Sequence, residues 1–361
     1  MQKDEKIRIC HVISDAEIGG AGVLLCNLLS SLDRERFSPE VIAPRHSALL
    51  PRLRETGVSV YEGDFVGERS LSVRGAREVL RHVRRSRPHI VHTHGAAFGR
   101  VAARLTGAIA VNTRHCDTKM KTTLYNSITD FTVATSRAML EKMRDNHVKN
   151  CIFIPNGSAE QKRLNVNERL QIRKRLDLPS DAIVIGFVGR LERVKGCDIF
   201  LRGASLCMGE DCAKKLYFVI VGDGREMESL QELSRSLGID SRVRFCGYSD
   251  RAWEYMNIFD VGVNSSVGSE TCSLAISEMM SLGIPIVASD IEGNAYMTRG
   301  CGMLFSSGEP YSLASALCRL AEDREERLSL GERCRKRYDE EFSLSSMAKS
   351  YSSLYTHLVN T

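Results

Sequence analysis

No apolar run in the 361 residues reaches the roughly 20 residues that a membrane-spanning helix needs, so no span is expected. The opening MQKDEKIRIC lacks the layout of a secretory signal, and the expectation is a protein that stays in the cytoplasm. No C-x-x-C occurs among the twelve cysteines, which removes the usual ligand spacing of a zinc site. Scattered through apolar stretches (Cys10, Cys26, Cys151, Cys318), they read as small buried hydrophobes of a reducing compartment. A dinucleotide site at the N-terminus is not expected either. The first glycine loop does not fit G-x-G-x-x-G, and the next strand ends without an acidic residue for a ribose.

What is present points to a two-domain α/β protein, because this length exceeds what one core usually supports. IRICHVI (7–13) is followed by Gly19-Gly20-Ala21-Gly22 and the apolar helix VLLCNLLSSL, and strand and helix then alternate as far as CIFIPNG. Such βα units build parallel sheets covered on both faces. After Ile154-Pro155-Asn156-Gly157 the segment SAEQKRLNVNER reads as a polar linker, and a second series opens with IVIGFVGR (183–190). Charge divides unevenly: residues 1–160 carry 24 Lys+Arg against 17 Asp+Glu, and residues 161–361 carry 26 against 28. A basic first half calls for an anionic partner, either a membrane surface or a phosphate-bearing acceptor. The helix LSVRGAREVLRHVRRSRP places Val73, Ala76, Val79, Leu80 and Val83 at helical spacing. Its other face carries Arg74, Arg77, Arg81, Arg84 and Arg85, either a solvated face or a contact for anionic headgroups.

The chain is organised around VNSSVGSETCSLAISEMMSLGIPIVASDIEG (263–293): a buried strand, a Gly/Ser loop, a helix and a second strand. Ser269, Thr271 and Ser273 can each cap the helix, and Gly283 ends it. Glu270 and Glu278 stand eight positions apart, roughly 12 Å if every residue between them were helical. That exceeds the roughly 5 to 9.5 Å of a glycosidase carboxylate pair. Two carboxylates at that spacing suit the hydroxyl donors of one extended ligand whose anionic centre faces the helix N-terminus. Histidines at His92 and His94 share one face of a strand, with no further metal ligand evident. His115 ends the strand AVNTRH at the carboxyl edge, where open α/β sheets bind ligands.

Glu270-x7-Glu278 followed by Gly-Ile-Pro-Ile-Val-Ala-Ser resembles the donor signature of retaining glycosyltransferases of family 4, which adopt the GT-B fold. Gly189-Arg190-Leu191 with Lys195-Gly196 is similar to that family's G-R-L-x-x-x-K-G loop. The resemblance implies two Rossmann-like parallel-sheet domains facing across a cleft. Residues 1–160 would form the acceptor side, 161–340 the nucleotide-sugar side, and 341–361 a C-terminal helix crossing back to the first domain. The family usually has Gly-Phe-Gly-Leu after the first glutamate, whereas this chain has Thr271-Cys272-Ser273-Leu274. Likewise Glu292-Gly293 and Tyr296 stand where the family often has Gly-Gly and a glutamate. These differences lie beside the sugar and bear on donor identity rather than fold.

By the same resemblance Glu270 holds the donor sugar and Glu278 the ribose. The backbone around Thr271, Cys272, Ser273 and Leu274 meets the diphosphate, and Gly247, Tyr248 and Ser249 neighbour the base. Gly20 and His115 face the cleft from the first domain. No Asp-x-Asp occurs, so Arg190 and Lys195 are expected to neutralise the leaving diphosphate without a metal or other cofactor. The implied activity is retaining transfer of a hexosyl or hexosaminyl unit from a nucleoside-diphosphate sugar to a glycan or lipid-linked acceptor, in surface polysaccharide synthesis. Peripheral contact with the inner face of the plasma membrane is expected, and no nucleic acid. The alternatives are a GT-B sugar-nucleotide epimerase and a non-catalytic nucleotide- or membrane-binding scaffold.

Overall fold

The computed structural model describes residues 5–14, 19–64, 73–115, 127–268 and 270–361. The chain forms two compact units, one of residues 1–158 with 344–361 and the other of residues 159–343.

In the first unit the strands are β1 (Ile7–Ile13), β2 (Phe37–Pro44), β3 (Ser59–Gly63), β4 (Ile90–His94), β5 (Ile109–Arg114), β6 (Phe131–Ala134) and β7 (Cys151–Phe153). They make a seven-stranded sheet in the order 3-2-1-4-5-6-7, every pairing parallel. Side chains alternate between two cores, as continuous apolar strands must when both faces are covered. Ile7 and Ile9 point into one, with Leu24 and Leu28 of α1 (Gly20–Ser31), and Cys10 and Val12 into the other. That second core is closed by α3 (Val73–Ser86) and α4 (Ala97–Thr106); α2 (Leu50–Glu55) and α5 (Arg137–Asp145) cover the sheet's flanks. The helix expected between β5 and β6 falls largely outside the described residues.

The second unit begins with a correction to the expected linker. Asn165 caps α6 (Val166–Arg175): its side chain accepts from the Glu168 N–H while the Glu168 carboxylate accepts from the Asn165 N–H. That reciprocal pair starts a helix wherever the following residues tolerate one, however polar they are. Next come β8 (Ile183–Val188), α7 (Cys197–Cys207), β9 (Leu216–Val221), α8 (Met227–Ser236), β10 (Val243–Phe245), α9 (Ala252–Met256) and β11 (Val261–Asn264). The unit continues with α10 (Leu274–Ser281), β12 (Ile286–Ser289), α11 (Glu292–Thr298), β13 (Met303–Phe305), α12 (Pro310–Glu322) and α13 (Arg324–Arg337). Six parallel strands run in the order 10-9-8-11-12-13. This is the Rossmann order, and its reversal between β8 and β11 opens a crevice at the strands' carboxyl ends.

The final helix, α14 (Leu344–Asn360), belongs to the first unit. It buries Met347, Tyr351, Leu354 and Tyr355 in the core that Ile7 and Ile9 share. No helix among the described residues is long and apolar enough to cross a membrane.

Candidate functional site

At the β8/β11 switch point two loops are fastened together by their backbones. Gly196 has φ +63°, and a Cβ there would stand 2.0 Å from the Ser265 carbonyl oxygen. Only glycine meets both conditions. Across this contact Ser265 Oγ donates to the Gly196 carbonyl at 2.8 Å, and the Val267 N–H donates to the Val194 carbonyl at 3.0 Å. The consequence is the position of Lys195. Its Nζ lies 2.6 Å from Glu270 Oε2, which also accepts from Ser266 Oγ at 3.1 Å. The pair is largely shielded, with side-chain exposures of 23 % for Lys195 and 14 % for Glu270. A shielded ammonium–carboxylate pair of this kind interacts far more strongly than one in open water.

Glu270 precedes α10 rather than belonging to it, so the all-helical separation from Glu278 does not apply. Of the three capping residues considered, Ser273 is the N-cap, its side chain accepting from the Ile276 N–H; Ser269 lies outside the described residues. The preceding N–H groups of the first turn have no intrahelical partner, by the geometry of any helix start. Gly293 fixes the neighbouring backbone: a Cβ on it would come within 1.9 Å of the Glu270 carbonyl oxygen.

Beneath the loop runs a buried amide–hydroxyl network that sequence reasoning missed. Asn264 Nδ2 donates to Ser273 Oγ at 3.1 Å, and Asn294 Nδ2 donates to Asn264 Oδ1 at 3.1 Å and to Ser289 Oγ at 3.0 Å. Ser289 Oγ in turn donates to the Ser266 carbonyl at 2.6 Å. Buried polar groups of this density are tolerated only when they partner one another, and they then hold one loop conformation. The available signal was the run of polar residues inside apolar stretches, Asn264-Ser265-Ser266 and Asn294.

Glu278 differs from Glu270. No described residue donates to its carboxylate, and burial raises its pKa from 4.5 to about 7. Isolated, shielded carboxylates of this kind are characteristic of ligand sites, where an incoming donor supplies the missing hydrogen bond. Arg190 is not gathered into this group: it pairs with Glu192 at 2.7 Å and keeps 69 % of its side chain exposed. Thr271 is half-buried, Cys272 is buried and Leu274 opens the helix. Gly247, at φ +70°, accepts from the Gly222 N–H at 2.9 Å, leaving the Tyr248 ring 77 % exposed at the end of β10.

In the first unit Gly20 opens α1, and a Cβ on it would meet nothing within 4 Å. Close packing in this loop falls on Gly22, whose Cβ would press on Leu49. His115 follows β5 directly. The strand register adds what its sequence position did not reveal: His11 pairs across to His92 and Ile13 to His94, so His11 joins the two histidines of β4. Ring nitrogens of His11, His92 and His94 lie within 4.8 Å of one another, as do ligand atoms of Cys10, Glu40 and His82. Several of these side chains are already engaged. His92 contacts Tyr355 Oη at 2.6 Å and Thr113 Oγ1 at 2.7 Å, and His82 Nε2 lies 3.1 Å from Glu40 Oε2.

Residues 18–159 match the model of Glycosyltransferase Family 4, and residues 182–323 that of Glycosyl transferases group 1. The O-antigen biosynthesis glycosyltransferase WclY of Escherichia coli is 23 % identical over 98 % of this chain and 99 % of its own. A second Escherichia coli relative is the UDP-Gal:alpha-D-GlcNAc-diphosphoundecaprenol alpha-1,3-galactosyltransferase, 25 % identical over 98 % of each chain. Among solved structures, Anabaena HepE in complex with UDP superposes with a TM-score of 0.84 at 17 % identity, over 97 % of this chain and 100 % of that one.

Proposed function

This chain belongs to the family 4, group 1 glycosyltransferases, and on that premise we propose that it transfers a hexosyl or hexosaminyl unit from a nucleoside-diphosphate sugar, with retention, to a glycan or lipid-linked acceptor in surface polysaccharide synthesis. The observation that carries this reading is the Lys195–Glu270 pair held at the switch point, with the unpartnered Glu278 one element away. A nucleotide diphosphate gains charge as its sugar departs, and a cation at the crevice stabilises that change. Lys195 is assigned this part, with Arg190 swinging from Glu192 to join it, and the N–H group of Leu274 beside them, the Ser273 N–H being taken by Met297 Sδ at 3.2 Å. Glu270 takes the sugar hydroxyls and Glu278 the ribose hydroxyls, both donors to a carboxylate. Tyr248 offers its exposed ring to the base. Gly20 is assigned to the donor phosphates and the acceptor, and His115 a catalytic place near the transferred sugar or the acceptor.

The missing Asp-x-Asp favours a reaction without a divalent ion, charge neutralisation falling to Lys195 and Arg190. A uridine donor is supported by the UDP complex of Anabaena HepE, and a lipid-linked acceptor by the name of the galactosyltransferase relative.

Peripheral membrane contact is proposed through the first unit. Arg77, Arg81, Arg84 and Arg85 are exposed on α3. Beside them Val73, Val101 and Leu105 line an apolar groove of about 270 Å³ between α3 and α4, with exposures of 66, 38 and 59 %. Basic side chains at the rim of exposed apolar ones fit an anionic lipid surface.

The test is nucleoside diphosphate release from a panel of nucleotide sugars, with and without a lipid-linked acceptor. Acceptor-dependent release accompanied by a glycosylated product is the predicted result. Release that ignores acceptor and yields an epimerised sugar would make the protein an epimerase, and no release with any donor would leave only a scaffold.

A further inference from the structure

Four histidines lie on one face of the first unit's sheet, and three of them form a chain. His11 Nδ1 stands 3.2 Å from His94 Nε2, and His94 Nδ1 stands 3.1 Å from His115 Nε2. His11 and His94 are 0 % and 1 % exposed, and no carboxylate among the described residues hydrogen-bonds to any of the three. Burial lowers the pKa of His11 to about 3 and of His115 to about 4, and that of His94 well below 6.5. All three are therefore neutral near pH 7, each with one N–H and one lone pair.

Two contacts in series then permit two arrangements. Each contact needs one proton, and His94 has one to give, so it donates on one side and accepts on the other. Either every proton sits on Nδ1 and the bonds run from His11 to His115, or every proton sits on Nε2 and they run the opposite way. The ends of the chain separate these arrangements. His11 Nε2 and His115 Nδ1 are both buried without a partner among the described residues. With protons on Nε2, His11 would bury an N–H in the core with no acceptor, the least tolerated kind of orphan. With protons on Nδ1, His11 leaves only a lone pair unused. The unpaired N–H then falls to His115 Nδ1, which is also covered but belongs to a part-exposed residue at the carboxyl edge, where a ligand oxygen can reach it, whereas His11 is fully enclosed.

We infer that His11 and His94 are positioning residues that lock His115 as its Nδ1–H tautomer, so that it presents a hydrogen-bond donor, and not a base, to a substrate oxygen. Histidine in water favours the other tautomer, so this arrangement is imposed by the fold. It rests on the proposed reading only in giving His115 a substrate to meet. Proton removal from the acceptor is then left to another group, and the departing phosphate oxygen is the available one.

The experiment is ¹⁵N–¹H correlation of the imidazole nitrogens in the full-length protein, with the His115 signals assigned by their loss in His115→Asn. The expected spectrum has a protonated Nδ1 and a bare Nε2 for His115. In His94→Leu the donor to His115 Nε2 is gone, so His115 shifts toward the Nε2–H tautomer that imidazole favours in water. Turnover falls roughly tenfold, the scale of one hydrogen bond lost in the transition state, while nucleoside diphosphate affinity stays unchanged. His94→Gln, which restores an N–H donor, keeps the wild-type spectrum. A bare Nδ1 on wild-type His115, or no tautomer change in His94→Leu, overturns the inference. Should His94→Leu not fold, the wild-type spectrum still decides. If no nucleotide sugar is turned over yet the Nδ1–H tautomer is found, the functional reading fails and the relay stands.

Discussion

Glu278 holds a charge that the fold does not repay. Its carboxyl is raised from 4.5 to about 7 by burial alone, so the folded state prefers it neutral. The sign follows from linkage: no penalty below pH 4.5, a growing one from pH 4.5 to 7, and the whole of it above pH 7. Glu278→Gln is therefore expected to stabilise the free protein at pH 8 by on the order of 2 kcal/mol, and hardly at all at pH 4.5. Thermal melts at the two pH values measure this; an equal shift at both, or a fall at pH 8, would mean that Glu278 is not the isolated carboxylate described. The same variant should bind nucleoside diphosphate more weakly. Residue identities at this scale were legible where a motif repeated a spacing, as with Glu270, Glu278 and Lys195. Asn264 and Asn294 were not, because their partnership exists only once β11 and α11 meet.

Gly196 shows how an element-scale contact sets the site. Gly196→Ala adds a Cβ at 2.0 Å from the Ser265 carbonyl and a left-handed conformation that alanine resists. A loss of about 1 to 3 kcal/mol is expected, with weaker nucleotide binding as the Lys195 loop shifts. Denaturant unfolding together with calorimetric titration checks both parts, and a variant with wild-type stability would contradict the packing argument. The basic face of α3 is the other element-scale expectation. Each exposed arginine near an anionic surface contributes about 1 kcal/mol, so changing Arg77, Arg81 and Arg84 to Gln should weaken vesicle binding about a hundredfold at low salt. Vesicle sedimentation of both proteins decides it; equal binding would reduce the helix to a cover for the sheet. Most elements were legible from apolar periodicity. The start of α6 was not, since a capping box and not an apolar stripe begins it, and Asn165 and Glu168 resemble any polar linker until the side chains close on the backbone.

At the scale of the whole molecule, length and the alternation of strand and helix were enough for two parallel-sheet units, because continuous apolar strands leave few other arrangements. The histidine chain was beyond reach for the opposite reason. His11 and His94 sit on β1 and β4 and His115 directly follows β5, and only the register of β1 on β4 and β4 on β5 brings them together. The proposed donor site is likewise a meeting of two loops 75 positions apart, joined by the bond from Lys195 Nζ to Glu270 Oε2. The central claim is that this meeting point neutralises the leaving diphosphate without a metal. Its most direct test is kcat with a nucleotide sugar and a lipid-linked acceptor in excess chelator, for wild type and Lys195→Ala. The account predicts undiminished wild-type turnover and a loss of roughly 10²- to 10³-fold in the variant, the scale of removing one oxyanion donor. Wild-type activity that vanishes in chelator and returns with magnesium or manganese, or a Lys195→Ala protein that turns over normally, would contradict it.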